Sequence, residues 1–128
     1  MTPELTYLVA TCMLSLVLWV PYILGRISAW GLIETLGYPT REMPQPDWAV
    51  RMKKAHHNLT ENLVPFVGLV IAVNLAGLGN EMTALGAMVF FWARVVHAVV
   101  YTLGIPIVRT LSFAAGLAGC LMVASVFA

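Results

Sequence analysis

The chain has 128 residues, of which 60% are hydrophobic and only 10% charged, and its formal net charge is +1. That balance excludes an ordinary soluble domain and leaves no basic surface for nucleic acid. About 20 apolar residues cross the roughly 30 Å hydrocarbon core of a bilayer, so the length accommodates four crossings and one substantial loop, with no room for a second domain.

The first apolar segment runs from Leu5 to Gly25, uncharged and interrupted only by Pro21. No Lys or Arg precedes Arg26, so the segment lacks the basic region of a secretory signal and is expected to remain in the mature chain. Between Arg26 and Asp47 several prolines and glycines oppose a continuing helix and predict the one long loop. Asp47 offers an N-cap for a second helix, Trp48 to Leu78, which starts polar along RMKKAHHNLTEN and then turns apolar. Gly79 and Asn80 predict a tight turn before a third helix, Glu81 to Leu103. Ile105 and Pro106 turn the chain again before a fourth, Val108 to Phe127, whose Gly and Ala suit close packing in a membrane.

The expected fold is therefore all-α: a single integral membrane domain, a four-helix bundle with up-down topology. Arg26, Arg41, Arg51, Lys53 and Lys54 all fall in the first loop or at the start of the second helix. The positive-inside rule then places that loop in the cytoplasm and both termini on the other side. Cys12 and Cys120 lie within apolar segments, without metal-ligand spacing, and read as packing residues; no metal site is expected.

Ionisable groups inside a membrane segment cost about 2.5 to 3.5 kcal/mol each, so they face a bundle interior or a cavity. Lys54, His57, Asn58, Glu61 and Pro65 fall on one stripe of the second helix, and Arg94, His97 and Tyr101 on one face of the third. At about 1.5 Å per residue, Arg94 lies roughly 20 Å below the start of its helix, close in depth to Asn58 and Glu61 on the antiparallel neighbour. Arg109, opening the fourth helix with Thr110, arrives at the same level. Three helices thus direct these groups to one zone near the cytoplasmic face. A structural Glu61–Arg94 ion pair is an alternative use of two of them. Arg51 and Lys53 read as headgroup contacts, and His56 and Asn74 as interhelical hydrogen-bonding residues. Trp19, Trp30, Trp48 and Tyr38 read as interfacial anchors. An excess of cationic donors around one carboxylate suits a ligand with more acid than amine, such as glutathione, whose thiolate an arginine would stabilise.

RMKKAHHNLTENLVPF followed by ARVVHAVVYTLGIPIVRT resembles the paired signatures of the MAPEG family, membrane-associated proteins in eicosanoid and glutathione metabolism, in its bacterial-type microsomal glutathione transferase-like branch. The resemblance implies four-helix chains assembled as a homotrimer in a bacterial inner membrane, with glutathione as co-substrate bound between subunits near the cytoplasmic face. It also implies glutathione contacts from Asn58 and Glu61, a polar face of Arg94, His97 and Tyr101, thiolate stabilisation by Arg109, a neighbouring hydroxyl at Thr110, and a basic contact from Arg26. Lys54 stands where an arginine is common and keeps only the charge. His57 stands where several relatives have arginine, and Phe113 where some have tyrosine; both substitutions remove donors.

Two uses of this fold follow. One is a membrane-bound glutathione transferase or peroxidase joining cytosolic glutathione to a lipophilic electrophile or lipid hydroperoxide arriving from the bilayer. The other, motivated by His57 and Phe113, is a non-catalytic lipid-binding protein or accessory subunit of a larger membrane complex. An ion pathway through Glu61, Arg94 and His97 is a more distant reading, because only Asn74 continues the polar path across the bilayer.

Overall fold

Thr2 opens the first helix: its Oγ1 accepts from the Leu5 N–H at 3.3 Å, and Pro3 follows at a position where a missing N–H costs nothing. The computed structural model, which describes residues 1–38 and 44–128, carries this helix, α1, over Pro3–Trp30. The stretch expected as loop is thus helical for its first turn and more. Gly31, at φ 89°, ends the helix, and Arg26 does not interrupt it because its guanidinium packs over the Trp30 ring at 4.8 Å. A short helix, α2, occupies Leu32–Leu36. Arg41, one of the five basic residues used for orientation, lies outside the described residues.

The second long helix, α3, spans Asp47–Ala76, with Pro46 rather than Asp47 at the capping position. It ends on Gly77, at φ 67°, whose N–H bonds to Asn74 while that of Leu78 bonds to Val73 at 3.1 Å. The left-handed residue of this turn is therefore Gly77, not Gly79. Asn80 starts α4, Glu81–Leu103, through a reciprocal box in which its side chain accepts from the Thr83 N–H and its own N–H donates to Thr83 Oγ1. After a second left-handed glycine cap at Gly104, α5 runs over Pro106–Ala124 and closes with a 3₁₀ turn, Ser125–Phe127.

Four of these helices are long and apolar enough to cross a membrane. Large side chains such as Leu16, Leu24, Leu75, Val99 and Leu117 are exposed on the outside of the bundle, as a lipid solvent requires. The core is correspondingly thin. Phe66 of α3 stacks on Phe90 of α4 with ring centroids 4.0 Å apart, within a cluster that includes Leu8, Val70, Val73, Ala87, Cys120 and Val123. Cys120 is buried there and Cys12 packs against the cluster; both are free thiols.

Between α4 and α5 the approach is backbone to backbone. A Cβ on Gly119 would sit 2.7 Å from the Gly86 carbonyl oxygen and 2.7 Å from the Phe90 nitrogen, so only glycine fits. This contact holds the two helices as one slab, against which α1 and α3 pack. His56 and Asn74 make interhelical bonds: His56 to Tyr22 Oη at 2.9 Å and Ser15 Oγ at 3.4 Å, and Asn74 Oδ1 from Thr2 Oγ1 at 3.0 Å. Arg51, expected among the headgroups, instead donates from Nε to the Thr102 carbonyl at 2.9 Å. That carbonyl is one of the unpaired acceptors at the α4 C-terminus, where a cation is favoured.

Candidate functional site

At the end of the bundle where α1 finishes, α3 begins and the chain turns from α4 to α5, a cavity of about 340 Å³ is lined by Asn58, His97, Tyr101, Arg109, Thr110 and Phe113. Five of these six are residues whose type and spacing had marked them as site candidates; Phe113 had been marked as a departure from the family pattern. The α4–α5 slab supplies every lining residue but Asn58. His97 and Tyr101 are one turn apart and meet edge to face with centroids at 5.4 Å, while Arg109 lies over the Tyr101 ring at 4.9 Å. Tyr101 therefore holds the guanidinium at the cavity wall through its ring. Thr110 Oγ1 donates to the Pro106 carbonyl at 3.2 Å, so in this rotamer it offers the cavity lone pairs rather than its proton.

Arg94 does not line the cavity. It is only 1% exposed and sits directly behind the wall. Its Nη2 donates to Asn58 Oδ1 at 2.5 Å and to His97 Nδ1 at 3.4 Å, and the guanidinium faces the Phe113 ring at 5.8 Å. Its Nε is buried without a partner. Among the described residues no carboxylate pairs with it, and the Glu61–Arg94 ion pair expected as one possibility is not formed. The amide of Asn58 takes the place foreseen for the carboxylate.

Lys54, His57 and Glu61 stand apart from the cavity, exposed on the outer side of α3. The reason is rotational. At about 100° per residue, the core face of α3 is set by Ala55, Leu59, Phe66 and Val70; Asn58 falls at the inner edge of the polar stripe and His57 on the far side. Arg26 lies in the last turns of α1 beside Trp30, also away from the cavity lining, with a buried Nε that has no partner.

One buried ionisable residue escaped the sequence reading. Glu4, near the start of α1 and 4% exposed, accepts from Thr83 Oγ1 at 2.5 Å at the opposite end of the bundle. The N-x-x-T spacing of Asn80 and Thr83 signals the cap, but nothing in it signals that a carboxylate 79 positions away completes it.

Four helices long and apolar enough to cross a membrane, with an arginine-flanked cavity at one end of the bundle, define a polytopic membrane protein. The MAPEG family model matches residues 9–128, and the chain belongs to that family. It is similar to microsomal glutathione S-transferase 1 of Homo sapiens, 34% identical over 71 residues that make up 55% of this chain and 46% of the human protein. The rat protein of that name is 32% identical over 56 residues, 44% of this chain and 36% of its own length, and the pig protein 34% identical over the same shares. The match takes in less than half the length of each relative.

Proposed function

We propose that this protein is a membrane-bound glutathione transferase that joins glutathione to a lipophilic electrophile reaching the cavity from the bilayer. The observation that carries the reading is Arg109, held against Tyr101 on the wall of a cavity otherwise lined by neutral side chains. A cysteinyl thiol becomes nucleophilic when it ionises, and a guanidinium beside it favours the thiolate. The sulfur then bonds to the electrophilic carbon, the leaving group departs with the bonding electrons, and the thiol proton passes to solvent. With a lipid hydroperoxide the same thiolate chemistry oxidises two glutathiones to the disulfide while the hydroperoxide is reduced to an alcohol and water.

Glutathione carries two carboxylates and one ammonium, and this composition matches Asn58, His97 and Arg109 on one side and the exposed Lys54, His57 and Glu61 on the other. In this reading the polar stripe of one copy closes the cavity of the next in a homotrimer. Membrane lipids surround it, and the charges of Arg26, Lys53 and Lys54 support a cytoplasmic-face position for the cavity, where glutathione is abundant and reduced.

The test uses purified protein in detergent, glutathione and a generic aromatic electrophile, with thioether formation followed by absorbance. Arg109→Ala is expected to lower kcat/KM by about a hundredfold, the usual effect of removing one group that stabilises an anion at a reacting centre. Absence of glutathione binding at millimolar concentration would sink the proposal in favour of a non-catalytic, lipid-binding or accessory role.

A further inference from the structure

The geometry points to Arg94 as a positioning residue that never touches the ligand but makes the inner wall of the cavity a donor surface, selective for a carboxylate. A guanidinium only donates. Its contacts with Asn58 Oδ1 and His97 Nδ1 therefore determine what those two side chains have left to offer.

For Asn58 the consequence is an orientation. Oδ1 receives Arg94 Nη2 and, at 3.4 Å, Asn62 Nδ2, which also donates to the Asn58 backbone carbonyl at 2.8 Å. Two donors converge on Oδ1, so the amide cannot be flipped without setting NH₂ against a guanidinium. The group left for the cavity is Nδ2 with its protons. For His97 the consequence is a tautomer: a ring nitrogen facing a guanidinium must be the unprotonated one, so Nδ1 accepts and Nε2 carries the hydrogen. Without Arg94, both side chains are free to present an acceptor to the cavity, and an acceptor repels a carboxylate.

The remaining surroundings of Arg94 leave it no other structural task. It has no carboxylate partner among the described residues, its Nε is unpartnered, and it spends its polar contacts on two residues that both line the cavity. Its stem is held by Gly116, where an added Cβ would come within 3.3 Å of Arg94 Cδ. This inference rests on the glutathione reading for the identity of the ligand, but not for the orientation of Asn58 and His97.

Two measurements separate those dependencies. In ligand-free protein labelled with ¹⁵N-histidine, His97, assigned by the loss of its signals in His97→Gln, is expected to show a protonated Nε2 and an unprotonated Nδ1. Arg94→Met should convert it to a mixture of tautomers. In turnover assays Arg94→Met should raise KM for glutathione about tenfold, the effect of disordering one charge-directed hydrogen bond, with a smaller change in kcat. It should also reduce the preference of the protein for glutathione over its monoethyl ester. Arg94→Lys keeps the charge, but its shorter side chain ends short of the Nη2 position from which both contacts are made, and it should restore neither property. An unchanged His97 tautomer in Arg94→Met, or full rescue by Arg94→Lys, would overturn the inference. If Arg94→Met does not fold, Gly116→Ala, which crowds the same stem, must show the tautomer change; an unaltered signature there overturns it equally. Wild-type protein that shows the predicted tautomer but binds no glutathione would refute the proposed function and leave the positioning role standing.

Discussion

Among the described residues two charged side chains are buried, one toward each end of the bundle, and they are accommodated in opposite ways. Glu4 accepts a hydrogen bond from Thr83 within the N-terminal cap of α4, where the helix dipole already favours negative charge. The fold completes it. Arg94 is buried just as deeply, but among the described residues its hydrogen-bond partners are an amide and an imidazole, with an aromatic face beside them and no carboxylate. A carboxylate in a cap contributes to holding the helices together, whereas a cation without a counter-charge is a standing cost that ligand chemistry explains better than packing does.

The comparison can be broken by measurements on ligand-free protein. The largest expected effect is at Glu4. Glu4→Ala should destabilise the bundle by about 2 kcal/mol, the typical loss for a hydrogen bond to a charged group, seen as a fall in the unfolding midpoint in detergent. Glu4→Gln keeps an acceptor for Thr83 and should lose less than half as much. Arg94→Met should have the opposite sign, leaving the midpoint unchanged or raising stability by about 1 kcal/mol, because an uncompensated buried charge is replaced by apolar surface. A loss as large as that of Glu4→Ala would show that Arg94 is a structural charge and that the contrast is false. The smallest effect sharpens the Glu4 end of the molecule: Thr2→Ala removes the α1 cap and the contact with Asn74 and should cost about 0.5 kcal/mol, since this cap is exposed.

Much of this architecture is legible in the sequence because a membrane helix has to carry its own apolar length. The spans emerge from hydropathy alone, and their ends shift by a few residues, furthest at the end of α1, which runs on to the stop at Gly31. The site is legible to a more limited depth. Helical spacing says that Lys54, His57, Asn58 and Glu61 share a stripe, but not which edge of that stripe turns inward. Only the packing of Ala55 and Leu59 decides that Asn58 reaches the cavity and His57 does not. The partner of Arg94 stays open for a related reason: charge complementarity suggests Glu61 as one alternative, while proximity across the α3–α4 contact selects Asn58. Glu4 was missed because an acidic residue in a first turn is ordinary, and its burial depends on a residue in a distant helix.

The glycine contact between α4 and α5 has a consequence for how the cavity admits its occupant. His97, Tyr101, Arg109, Thr110 and Phe113 all ride on two helices whose backbones touch at Gly86 and Gly119, so they share one plate. Asn58 alone faces it from another helix, joined to the plate through Arg94. The cavity is thus shared between two pieces of the bundle, which the Phe66–Phe90 stack also holds together. A change in the spacing between α3 and the plate would move Asn58 relative to the other lining groups, while those five keep their mutual arrangement.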